Sequence, residues 1–132
     1  MRGIGISLAV VSMMFAVAVV AADGPVALER QDIIHLVSEK TIECRKEEDQ
    51  SLCANWFTEG GVVERIILAD GAREEGVWSV DDQDRLYIPW SGKIKPLCSA
   101  LYEQADGSHH LIKGGKHITT LLVSEYGNTK NL

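Results

Sequence analysis

The residues with most chemical potential in this chain are Glu103, His110 and His117. Two imidazoles and a carboxylate can bind zinc or serve as acid and base. Asp106-Gly107 and Gly114-Gly115 are turn dipeptides on either side of the segment that carries His110. With each taken as a two-residue turn, Glu103 faces His110 and His117 faces Ile112. His117 then lies diagonally across from His110, roughly 7 to 8 Å away at Cα. Leu101, Ile112, Leu121 and Val123 fall on the same face, so the group can equally rim a core. His109 points the other way, and His35 is an edge residue of a predicted helix. A one-residue slip of register dissolves the set.

Cysteine chemistry is the second possibility. Cys44, Cys53 and Cys98 are odd in number, so at least one is free or pairs between chains. A hairpin turning at Glu48-Asp49, or a longer loop of the same register, makes Cys44 and Cys53 directly opposed. Opposed residues of that kind have Cα atoms about 4.5 Å apart, within disulfide range. The expected bond is Cys44–Cys53, with Cys98 unpaired and no base nearby to activate it. Other catalytic templates are missing. The sequence has no G-x-S-x-G elbow, phosphate-binding glycine loop, paired C-x-x-C or H-E-x-x-H. The expectation is a non-enzymatic protein without a cofactor, with Trp56 and Trp90 as candidate ligand or partner contacts and Trp78 in the core.

These residues must be positioned by short elements. A helix is expected from Pro25 to about Lys40, with Leu28, Ile33, Leu36 and Val37 forming an apolar stripe. From Thr41 to Tyr126 the pattern becomes short strands with turns about every ten residues. The clearest unit is Gly76 to Trp90, GVWSVDDQDRLYIPW. A loop at Asp82-Gln83-Asp84 sets Asp81 opposite Arg85, Val80 opposite Leu86 and Trp78 opposite Ile88. Asp70-Gly71 signals another hairpin. A two-residue turn there puts Val63 opposite Trp78 but sets Arg73 and Glu75 against Leu68 and Ile66, a conflict that a bulge at Gly76 would repair. The fold class is mainly β: an N-terminal helix, then an antiparallel meander of about eight short strands forming a small barrel or half-barrel. The last residues, 127–132, read as a polar tail.

The sequence G-V-W-S-V at Gly76–Val80, then R-L-Y-I-P-W at Arg85–Trp90, then Cys98 and Tyr102, resembles small exported proteobacterial proteins classed as a domain of unknown function. In these a G-x-W-x-V strand follows an aspartate-glycine turn, as Asp70-Gly71 does here, and the resemblance spans roughly Leu28 to Asn128. It implies export and a lipocalin-like or half-barrel meander, and no activity. Such proteins commonly have a cysteine near the position that Tyr87 occupies here.

The N-terminus agrees with export. Arg2 precedes an apolar run from Ile4 to Val20, and Ala21-Ala22 follows, which predicts a signal peptide over 1–22 cut before Asp23. The remaining 110 residues make one domain, with no stable membrane anchor after cleavage. Losing Arg2 leaves 12 basic against 19 acidic residues, moving the net charge from −6 to −7. An acidic chain without a basic, aromatic-rich face is not expected to bind nucleic acid. The expected role is that of a periplasmic or secreted protein binding a partner protein or small apolar ligand. The alternatives are an inhibitor of a secreted protease and a metal-dependent enzyme using Glu103, His110 and His117.

Overall fold

The computed structural model describes residues 24–132; the expected signal peptide and its cleavage point lie outside the described residues. In chain order the elements are β1 (Val26–Ala27), α1 (Arg30–Val37), β2 (Lys40–Lys46), β3 (Leu52–Phe57), β4 (Val62–Ile67), β5 (Arg73–Val77), β6 (Ser79–Val80), β7 (Leu86–Ile88), β8 (Leu97–Glu103), β9 (His109–Lys113) and β10 (Lys116–Tyr126). Nine strands run β5-β4-β3-β2-β10-β9-β8-β7-β6, all neighbours antiparallel, with β1 added to β8. The two ends of this path, β5 and β6, are separated in sequence only by Trp78, and a Gly76–Trp90 bridge ties β5 to the chain beyond β7. The sheet is therefore a nearly closed antiparallel barrel.

Alternation fills the barrel. Cys44, Cys53, Phe57, Val63, Trp78, Leu86, Ile88, Leu101, Leu111 and Leu121 are buried, as period-two strands with one inward face require. Trp78 meets Phe57 edge-on, with centroids 5.9 Å apart, and its indole N–H donates to the Thr58 carbonyl at 2.8 Å. Cys44 and Cys53 are directly opposed and disulfide-bonded, with Cα atoms 4.9 Å apart. The loop between them is the longer one: Lys46 N–H donates to the Ser51 carbonyl, in the same register as the shorter turn.

Two expectations change. The helix is shorter than Pro25 to Lys40, because the chain from Val26 to Leu28 pairs its backbone with Tyr102, Glu103 and Leu101 of β8. Interstrand hydrogen bonds there outweigh the modest gain of extending a short helix. The helix starts after Glu29, whose N–H donates to Asp32, and stops before Glu39, at φ 62°. Ile33 and Val37 plug one end of the barrel, and Arg30 anchors the helix to the β6–β7 hairpin through Asp84 and the Val80 carbonyl.

The second change is at Asp70-Gly71. These residues belong to a four-residue loop, closed by Ile67 N–H on the Ala72 carbonyl, so Val63 faces Gly76 and Ile66 faces Arg73. Register moves by two, the inward face is kept, and no bulge is needed. Gly76 is small for a different reason: a Cβ there would lie 3.1 Å from Ile88 Cγ2, the Pro89 carbonyl oxygen and the Trp90 ring. The central hairpin has the expected register, Val80 against Leu86 with Asp81 N–H on the Arg85 carbonyl. Residues 127–132 are held to the barrel rather than trailing from it, with Thr41 Oγ1 donating to the Gly127 carbonyl and accepting from Thr129 N–H.

Two substitutions test this packing. Trp78→Ala should cost about 3–5 kcal/mol in a denaturant titration; a loss below about 1 kcal/mol would remove Trp78 from the core. Gly76→Ala should cost about 1–3 kcal/mol by overpacking against Trp90 and the Pro89 backbone. An unchanged midpoint would show that this strand crossing is loose.

Candidate functional site

The two ends of the barrel differ. Helix α1 plugs one end, while the other holds an open cavity of about 690 Å3. Its walls continue the inward rows of the strands, which turn from apolar to basic as they reach this rim. On β2 the row is Ile42, Cys44, Lys46, and on β9 Leu111 and then Lys113; on β4, Arg65 interrupts the apolar row between Val63 and Ile67. Lys93 and Lys95 from the β7–β8 loop and Lys116 from the start of β10 complete the basic rim. Trp90, Leu97, Pro96 and Ile118 supply the apolar wall.

Arg65 lies in the cavity wall. Its side chain is only 14% exposed and lies over the Trp90 ring, with Cζ 4.1 Å from the centroid. Nε donates to Asn55 Oδ1 at 2.9 Å and Nη1 to Glu74 Oε1 at 3.4 Å. Glu74 also meets Lys93 at 3.3 Å, and the Asn55 amide reaches the Cys44 sulfur. Burial lowers the proton affinity of the guanidinium, and Glu74 opposes that shift. A guanidinium remains charged under these conditions and suits stacking on an aromatic face. Sequence reasoning missed Arg65. The signal was available: in V-V-E-R-I-I the arginine shares the face of Val63 and Ile67, an inward position.

Trp90 was expected at a contact surface and does line the cavity; it is 7% exposed. Trp56 is half-buried on the opposite face of β3 from the inward Cys53, Asn55 and Phe57, and does not line the cavity. Cys98 is free, faces Tyr87 across β7, and lies 3.7 Å from Asp81 Oδ2. Burial, with Asp81 adding, pushes its thiol up from the ordinary value, which disfavours the nucleophilic thiolate.

The trio of Glu103, His110 and His117 does not assemble. Gln104 N–H donates to the Ser108 carbonyl, so the β8–β9 loop has three residues rather than two. Glu103 therefore faces His109, 3.6 Å away, and Tyr102 faces His110. His117 does face Ile112, and its ring stacks on His110 at 3.7 Å and 11°. The nearby carboxylate is Glu47, from the β2–β3 loop. Thr120 Oγ1 donates to Glu47 at 2.7 Å, so His117 Nε2, 2.9 Å from the same oxygen, carries the proton it donates there. Thr120 is foremost in holding the Glu47 carboxyl below its usual range, with Gln50 and Arg45 assisting. Parallel rings send their in-plane lone pairs past one another rather than onto one tetrahedral ion. Among the described residues no group of three His, Cys, Asp or Glu is placed to hold a metal.

Burial, and then the neighbouring His117, lower the pKa of His110; burial also lowers that of His109. Each imidazole then binds its proton less readily folded than unfolded, so the unfolded chain carries more protons below pH 6.5. Their contribution to stability is complete above the unfolded value and lost as pH falls through the folded one. Replacing His117 by Gln should raise the His110 pKa, read by NMR titration, and shallow the fall in melting temperature below pH 6.5. An unmoved His110 resonance would mean that the rings are uncoupled in solution.

No helix among the described residues is long and apolar enough to cross a membrane. No family model, curated protein or solved structure matches the chain.

Proposed function

We propose that this chain is an exported, non-catalytic binding protein of the cell envelope that holds a small molecule in the open end of its barrel. The observation that carries this reading is the contrast between the ends: one filled by Ile33 and Val37 of α1, the other open for about 690 Å3 above Trp90. That volume lies within the roughly 300–1,000 Å3 of small-molecule sites, which pair an apolar wall with a few fixed polar groups. Trp90, Leu97 and Ile118 supply such a wall, and Arg65 is held in place by Asn55, Glu74 and the Trp90 ring. The Cys44–Cys53 disulfide is compatible with an oxidising compartment, which fits periplasmic or secreted residence. A protease inhibitor acting through a free N-terminal arm has less support, since Val26 and Ala27 are paired to β8.

The test is native mass spectrometry of the full chain after purification from the cell envelope. A non-covalent passenger should accompany the folded protein, leave on unfolding, and alter tryptophan fluorescence when added back, through Trp90. A protein that is empty from its native compartment, and whose fluorescence no envelope extract perturbs, would end the small-molecule reading.

A further inference from the structure

Charge at the open end narrows what can sit there. After residue 22 the chain has 12 basic and 19 acidic residues, yet six of those 12 line the cavity, against the two carboxylates of Glu47 and Glu48. The local balance is +4, or +3 with Glu74, in a chain whose total is −6. Clustering like charges destabilises a fold and concentrates counter-ions of opposite sign. Lysines on a rim alone could be solvated. Arg65 is a second and independent observation, because it is largely buried in the wall with its guanidinium over the Trp90 ring. Asn55 and Glu74 engage Nε and Nη1, and among the described residues Nη2 has no hydrogen-bond partner. A preorganised guanidinium with donors to spare matches the two oxygens of a carboxylate or phosphate.

We propose that the cavity binds a small amphipathic oxyanion, a carboxylate or phosphate monoester. Its acidic head sits on Arg65, inside the ring of rim lysines, and its apolar body lies against Leu97 and Ile118. This deepens the small-molecule reading and rests on it. Lys113 and Lys116, exposed at the β9–β10 turn, steer the anion in, and salt weakens that attraction.

The probes are octanoate, octyl phosphate and uncharged 1-octanol, titrated into the full chain by calorimetry and tryptophan fluorescence. Octanoate or octyl phosphate should bind, more weakly as salt is added, and 1-octanol about tenfold or more less tightly, as expected when charge-assisted hydrogen bonds are lost. K113E/K116E should lose affinity on a similar scale with an unchanged melting temperature. R65M/E74Q, which strands no buried carboxylate, should lose it too; if that variant fails to fold, the lysine pair still decides. Equal binding of octanol and octanoate, indifferent to K113E/K116E, overturns the oxyanion while leaving a small-molecule site. Failure of all three probes also overturns it, and the passenger experiment then judges the small-molecule reading separately. A vesicle arm separates the sources of the head group. Binding to phosphatidylglycerol vesicles but not phosphatidylcholine ones, without binding of the free amphiphiles, would place the oxyanion on a membrane surface and overturn the cavity.

Discussion

Trp90 packs directly on Gly76, so closely that a side chain there would crowd it. Its ring comes to 3.1 Å from the position that a Cβ of Gly76 would take, and the bridge between these two residues ties β5 to the chain beyond β7. The same ring carries the Arg65 guanidinium at 4.1 Å. Barrel closure and the placing of the buried cation are thus one contact. A larger residue at 76 would push the indole outward, loosening the seam and withdrawing the aromatic face that makes a buried guanidinium tolerable. Cation–π attraction between desolvated groups is on the order of 1–2 kcal/mol. That alone does not offset removing an arginine from water, and Glu74 and Asn55 supply the rest of its partners.

Strand alternation made much of the fold legible in the sequence. The Trp78–Ile88 hairpin and the opposed cysteines follow from period-two patterning and from turns whose length does not affect which face is inward. Loop length was the illegible part. Asp106-Gly107 and Asp70-Gly71 both look like two-residue turns, yet each belongs to a longer loop. Adding two residues at Asp70-Gly71 preserved the inward face. Adding one at Asp106-Gly107 reversed the side on which Glu103 meets its partner strand, and the carboxylate left the histidines. The open end was hidden for another reason. Lys46, Lys93, Lys95 and Lys113 are spread along the sequence, and in an acidic chain each reads as ordinary surface until strand order brings them around one rim.

The polar layer at Asn55, Arg65 and Glu74 divides the barrel interior. Toward α1 lie Phe57, Val63, Trp78 and Leu101 of the apolar cluster; toward the rim lie lysines and water-accessible wall. Such a boundary limits depth. The guanidinium, tied to Asn55, Glu74 and the Trp90 ring, forms the floor of the open end.

The pairing of β2 with β10 has a consequence for how the chain reaches this state. Cys44 lies beside Leu121, so the ladder that completes the ring joins elements from opposite ends of the described sequence. As the chain emerges N-terminus first, β2 can pair with β3 at once, but its other edge stays unsatisfied until β10 is out. An open edge of this kind recruits foreign strands, and long-range closure is slow. The bulge between Leu121 and Val123 interrupts regular pairing along that seam. Completion of this barrel therefore waits for β10: a chain truncated within β10 would leave part of the β2 edge unpaired.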